Sequence, residues 1–223
     1  LDCSGQCHQD FAHQDNADLD RHDRLTCPTC HIPSFARDEA TDMFRDWSNV
    51  HFDEDKGKYM YDQELEYDVE PVYAWYNGGR HAQAPGKAVR RDARGRVAMI
   101  LPEGDRDDPQ ARIAPFKLHR GRLPVLKQQQ WLAPLTTEEL YVHGNPDQAV
   151  RDGVRHWYGL EVDADDFVWE ETIRYMGIYH AVPPASEALR CVHCHREGGR
   201  MNWEELGYAA DPWSKKSRED KDP

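Results

Sequence analysis

Six cysteines and twelve histidines occur in the 223 residues, and their spacing is more telling than their number. Cys27-Pro28-Thr29-Cys30-His31 and Cys191-Val192-His193-Cys194-His195 both read Cys-x-x-Cys-His. Cys3-Ser4-Gly5-Gln6-Cys7-His8 keeps that order with one extra residue between the thiols. Two thiols so placed can each add across a vinyl group of one porphyrin while the next imidazole binds its iron, which is the attachment pattern of c-type haem. The reading predicts three covalently attached haem c groups, held by Cys3 and Cys7, Cys27 and Cys30, and Cys191 and Cys194. His8, His31 and His195 are the expected proximal ligands.

Other chemistries fit these residues less well. A disulfide framework has no use for a histidine after every second cysteine. Zinc takes cysteine and histidine together, and His22 lies upstream of Cys27, but its ligand pairs are normally separated by a folding unit. A thioredoxin-like dithiol needs one pair beside a βαβ pattern, which is missing.

Each iron has one further axial position. A sixth protein ligand suits electron transfer, whereas an open position suits catalysis or gas binding. Twelve histidines less three proximal ones leave nine. Methionine would serve and raise the potential, but none of the five stands in a comparable context. Bis-histidine ligation is therefore expected. His22 is five residues before Cys27, His180 sits in an apolar segment beside Pro183-Pro184, and His119 follows Phe116 and Leu118. His13 ranks next and His81 is a reserve, while His193, inside its own motif, is placed to serve only a neighbouring iron. His51, His143 and His156 are expected on the surface or in the scaffold.

The remaining elements must position these groups. Only 39% of the residues are hydrophobic and the mean hydropathy is −0.92, so porphyrins would supply the missing apolar mass and folding would depend on them. Seven Trp and ten Tyr are available to pack against macrocycles. Asn16, Ala17, Leu19, His22 and Leu25 have a helical spacing, and Ile32-Pro33 stops any helix after His31. Lys56-Gly57-Lys58 reads as a turn. Val69 to Tyr76 reads as a short strand ending at Asn77-Gly78-Gly79, and Val97 to Leu101 as another. Asn145-Pro146 starts a helix with Val150, Val154 and Trp157 on one stripe, closed by Gly159. Phe167 to Val182 mixes aromatic and β-branched residues, and Ser186 is placed to cap a helix carrying the third motif.

Several stretches resemble the C-terminal half of the octahaem tetrathionate-reductase-like c-type cytochromes. They are Leu25 to Arg37 (LTCPTCHIPSFAR), Asp46-Trp47-Ser48, Tyr73 to Gly78 (YAWYNG), Asp108 to Gly121 (DDPQARIAPFKLHRG) and Tyr175 to Asp211, with GIYHAVPPASEALRCVHCH and GRMNWEELGY. The resemblance implies a mainly irregular fold with short α-helices and few short strands, wrapped around stacked haems. It also implies that His180 and His119 are distal ligands. Three motifs replace eight, so the family's catalytic activity does not carry across. The expected organisation is one trihaem domain over 1–213, with haems 1 and 2 in 1–37, a wrapping segment in 38–183 and haem 3 in 184–213. A charged tail, 214–223, follows.

A formal charge of −13 argues against nucleic acid or an anionic membrane as partner, and no run reaches the length of a membrane span. Thioether attachment is expected outside the bacterial cytoplasm, so a periplasmic or extracellular protein with its signal peptide removed is inferred. The favoured function is an electron-transfer cytochrome whose partners are other redox proteins or copies of itself. With Cys3 at the start of the chain, the first haem would lie at the surface, and head-to-tail stacking would build a filament. The alternative is a redox enzyme or enzyme subunit reducing a small sulfur or nitrogen oxyanion, with Arg80, Arg90, Arg91 or Lys117 as cations near an exchangeable position.

Overall fold

The computed structural model describes Cys3, His8, His13, Leu19 and residues 22–214. Seven strands form one mixed sheet: β1 (Thr41–Asp53), β2 (Lys58–Glu66), β3 (Val72–Tyr76), β4 (Arg80–Ala82), β5 (Val97–Pro102), β6 (Arg112–Leu126) and β7 (Phe167–Gly177). The helices that bear on the site are α1 (Cys27–His31), α2 (Thr137–Tyr141), α3 (Pro146–Tyr158) and α4 (Cys191–Cys194). The expectation of a mainly irregular fold with few short strands is therefore overturned.

Strand β6 explains much of the discrepancy. It contains Pro115, Gly121 and Pro124, residues that read as interruptions, yet it pairs along its length with β7 in antiparallel register from Phe116↔Gly177 to Leu126↔Phe167. On its other edge β3 pairs with Arg112 to Phe116, antiparallel, and β1 with Arg120 to Arg122, parallel. The prolines lack an N–H but still accept: Ile178 N–H donates to Pro115 O at 3.2 Å and Ala133 N–H to Pro124 O at 2.9 Å. The hairpin of β1 and β2 is rich in charge, which masks its strand character; its turn falls at Gly57, whose φ is +63°.

Other elements follow their local chemistry. Strand β3 ends before the expected Asn77-Gly78-Gly79 turn, and β5 spans the expected apolar run. In α3 the Asn145 side chain accepts from Gln148 N–H at 3.0 Å, Pro146 opens the helix and left-handed Gly159 closes it. Its buried Ala149, Val150 and Val154 pack with Leu126, Ala133 and Phe167. Val150 and Val154 each contribute about 1.5–3 kcal/mol when fully buried. Trp157, expected on this stripe, is instead 69% exposed. Ser186 does not cap the third-motif helix: it lies in a 3-10 turn, Ala185–Glu187, and Arg190 occupies the N-cap of α4. Asn16, Ala17 and Cys7, and the expected tail beyond Ser214, lie outside the described residues.

Alternation along β6 sets Ile113, Pro115, Lys117 and His119 on one face. Ile113 joins Trp75, Ala111, Cys194, Met201 and Leu206 in a buried cluster, with Leu25, Tyr73 and Trp203 against it. Both Cys-x-x-Cys-His motifs are therefore seated on this end of the sheet. No helix among the described residues is long and apolar enough to cross a membrane.

Candidate functional site

The second motif is moored to the start of β6. Thr26 N–H donates to Ile113 O at 3.0 Å, and Ile113 N–H to Arg24 O at 2.8 Å. Within α1 the buried Thr29 hydroxyl donates to Ile113 O at 2.8 Å. Arg24 clamps the preceding segment: Nε reaches Ala111 O at 3.0 Å, Nη2 reaches Asp108 O at 2.9 Å, and the guanidinium lies 4.6 Å over the Trp75 ring. These bonds fix where His22, two residues earlier, can stand. The helix stops after His31, as Ile32-Pro33 requires.

The third motif is tied directly to the second, because Leu189 N–H donates to Cys30 O at 2.8 Å. Arg200 adds a second tie. Its N–H bonds His193 O at 2.9 Å, and its guanidinium donates to Pro33 O and pairs with Glu70 at 3.0 Å. Within α4, Arg190 N–H donates to His193 Nδ1 at 2.8 Å. His195 is enclosed by the segment that follows: Trp203 stacks on its ring at 5.1 Å, Trp213 meets it edge-on at 5.1 Å, and Asp211 Oδ1 lies 2.7 Å from Nδ1.

Two of the expected distal histidines stand opposite proximal ones. The rings of His13 and His31 have centroids 6.4 Å apart, inclined by 19°; those of His22 and His195 are 6.3 Å apart, inclined by 57°. An imidazole nitrogen bonds a transition metal at roughly 2.0–2.1 Å and the ring centroid lies about 1.1 Å behind it, so two imidazoles on one ion have centroids roughly 6.3 Å apart. The centroid separations of both pairs are close to that value for imidazoles on opposite sides of an ion.

Two of the motif thiols, Cys30 and Cys194, stand in surroundings that favour the neutral form. Burial first, then Cys194, Cys191 and Cys27, push the Cys30 thiol up to about 11. Burial likewise raises Cys194, partly offset by the Arg200 guanidinium. Reactive dithiols and zinc thiolates need the opposite shift. Trp203 Nε1 is buried without a hydrogen-bond partner beside this cluster, and the buried Tyr73 OH lies next to the Arg200 guanidinium. They are donors of the kind that carboxylate substituents of a porphyrin would satisfy. Burial pushes the Tyr73 phenol up to about 12, against the neighbouring Arg200 guanidinium.

In the first motif, His8 N–H donates to Cys3 O at 2.9 Å, whereas in the third His195 N–H donates to Cys191 O at 2.8 Å. One residue more lies between them in the sequence of the first motif, yet histidine and leading cysteine keep the same bond. Cys3 and His8 are exposed. Burial, then His13 and His8, hold the His31 imidazole below its ordinary value. Since Cys30 feels Cys191 and Cys194, the second in turn adjoins the third.

The remaining candidates are not paired with another histidine ring among the described residues. His119 sits in β6 with Nε2 3.5 Å from Asp42 Oδ1. His180 is exposed beyond β7, and His81 lies in β4 with a buried, unpartnered Nε2. His51 faces Asp62 at 3.0 Å. Among the cations named as candidates near an iron, Arg91 pairs with Glu170 and Lys117 Nζ donates to Thr41 Oγ1 at 2.7 Å. Asp211, Trp203 and Arg200 were missed by sequence reading. The dense aromatic and acidic pattern after His195, from Trp203 to Trp213, was the available signal.

A family model described as "Cytochrome c bacterial" matches residues 35–198, a span that includes the third motif and begins just after the second. A solved structure described as octaheme cytochrome c from Shewanella oneidensis is similar, with 29% identity and a TM-score of 0.80. The match covers 100% of this chain and 53% of that one, so the chain spans about half the length of that protein. No curated protein matches.

Proposed function

Because the chain belongs to the bacterial cytochrome c family, whose members bind haem c covalently, we propose that it is a trihaem relay in which single electrons pass along three adjacent centres. The family and the octaheme neighbour support a multihaem electron-transfer cytochrome. The observation that carries the trihaem reading is the two close imidazole pairs, His13 with His31 and His22 with His195, at separations near those of two ligands on opposite sides of one metal.

Cys27 and Cys30 would hold one haem between His31 and His13, and Cys191 and Cys194 another between His195 and His22. Cys3 and Cys7 would hold the third, with His8 as proximal ligand and His119 or His180 as candidates for its partner. When bound, haem supplies an iron that gains and loses one electron. The chain does the rest. Paired imidazoles exclude substrate from the metal, and the Leu189–Cys30 bond and Arg200 hold two motifs in contact.

Exposure of Cys3, His8 and His180 supports an extension in which copies stack end to end as a filament, with His180 reaching a centre of the next copy. Thioether formation supports a periplasmic or extracellular location. The purified protein should gain the mass of three haems, with all iron low-spin. A high-spin fraction that shifts on adding sulfite or nitrite would favour an oxyanion reductase instead. Electron microscopy and light scattering showing only monomers would remove the filament and leave the relay standing.

A further inference from the structure

The surroundings of the two better-defined proximal histidines differ in one respect that bears on electron flow. His195 Nδ1 lies 2.7 Å from Asp211 Oδ1, with side chains only 13% and 19% exposed. Among the described residues no carboxylate pairs with the His31 ring. Asp211 does not depend on His195 for its place. The same Oδ1 accepts from Trp213 N–H at 2.9 Å, and Ser214 N–H donates to Asp211 O at 2.8 Å. The turn leading to it is pinned by Trp75 Nε1, which donates to Leu206 O at 2.9 Å.

We propose that Asp211 is a positioning residue that lowers the electron affinity of the centre held by His195 relative to that held by His31, so that electrons run from the third motif toward the second. This rests on the bis-histidine reading above. A bond of this length between imidazole N–H and carboxylate is charge-assisted. It fixes the tautomer, with the proton on Nδ1 and Nε2 turned to the metal, and it raises the basicity of the ligating nitrogen. A more basic ligand with a fixed negative charge behind it favours ferric over ferrous iron. Partial burial leaves that charge weakly screened. One electron arrives from a one-electron donor and leaves to the neighbouring centre, and no proton moves.

The test is Asp211→Asn in the haem-loaded full chain, followed by potentiometric titration in the visible region. Asparagine keeps an oxygen for Trp213 N–H and the ring but removes the charge. The expected result is a shift of about tenfold toward the reduced form at one centre, equivalent to about 59 mV for one electron, with much smaller movement at the others. Three unchanged potentials, or three equal shifts, would overturn the proposal. So would a shift seen in Asp211→Ala but not in Asp211→Asn, since that pattern assigns the residue to holding the turn. Low-spin iron persisting at every centre of a His22→Ala variant would refute the ligand assignment instead, and the count of shifted potentials in Asp211→Asn would remain readable.

Discussion

The imidazole of His22 lies 6.3 Å from that of His195, centroid to centroid, although 173 residues of chain separate them (195 − 22). Arg24 and the Thr26–Ile113–Arg24 bonds deliver one ring, and the Leu189–Cys30 bond delivers the other. Replacing His22 by Ala should therefore convert one centre from low-spin to high-spin without releasing the covalently held haem. Added imidazole should restore the low-spin spectrum. The same change at His180 should leave a monomeric sample's low-spin fraction at the second and third motifs untouched, as read from the visible and paramagnetic-resonance spectra.

The two facing pairs differ in tilt, 19° for His13 and His31 against 57° for His22 and His195. The relative orientation of axial imidazoles governs the anisotropy of low-spin ferric iron. Frozen samples should show at least two distinct low-spin signals, the more tilted pair giving the larger maximal g value. The His22→Ala variant should lose that signal and keep the one from the near-parallel pair; loss of the other would reverse the pairing.

What was legible in the sequence was what depends on neighbours in sequence. Asn145, Pro146 and Gly159 bracket α3 because capping is local, and Ile32-Pro33 ends α1 for the same reason. Of the sheet, β3 and β5 were legible but the central strand was not, since β6 is held by partners at both edges that override Pro115, Gly121 and Pro124. His22 could be named as a candidate but not paired, because the bonds that hold the segment beside it run from Arg24 and Thr26 to Ala111, Asp108 and Ile113. Asp211 carries no motif at all. It acquires meaning only when the Trp203 to Trp213 segment folds back over His195.

Thr29 should be a measurable anchor of the second motif. Its hydroxyl donates to Ile113 O at 2.8 Å and lies 2.9 Å from the Thr26 hydroxyl. Thr29→Val keeps the shape and removes both bonds, while Ile113 O retains the Thr26 N–H. The expected cost is about 1 kcal/mol, read as a lower denaturant midpoint of the haem-loaded protein with an unchanged slope.

Gly153 sets two effects of opposite sign against each other. Alanine would improve the intrinsic helix propensity of α3 by about 1 kcal/mol. Its Cβ would fall well inside contact distance of the Pro134 carbonyl, backbone that cannot rotate away. Overpacking of this kind costs about 1–3 kcal/mol, so Gly153→Ala should destabilise, and a raised midpoint would show that the loop at Pro134 can yield.

His119 separates a scaffold histidine from a metal ligand by its response to pH. Burial holds its imidazole below the ordinary value of 6.5, with Asp42 opposing and Arg174, Lys117 and Arg45 reinforcing the shift. The folded state then binds its proton less readily than the unfolded chain. Stability from this residue is full above about pH 6.5 and falls as pH drops below it toward the lower folded-state value, where the loss levels off. His119→Gln should flatten that part of the stability curve, measured by denaturant titration between pH 7.5 and pH 5 on the low-spin protein. If His119 instead completes the centre of the first motif, the same substitution should produce high-spin iron there, and the spectrum decides between the two.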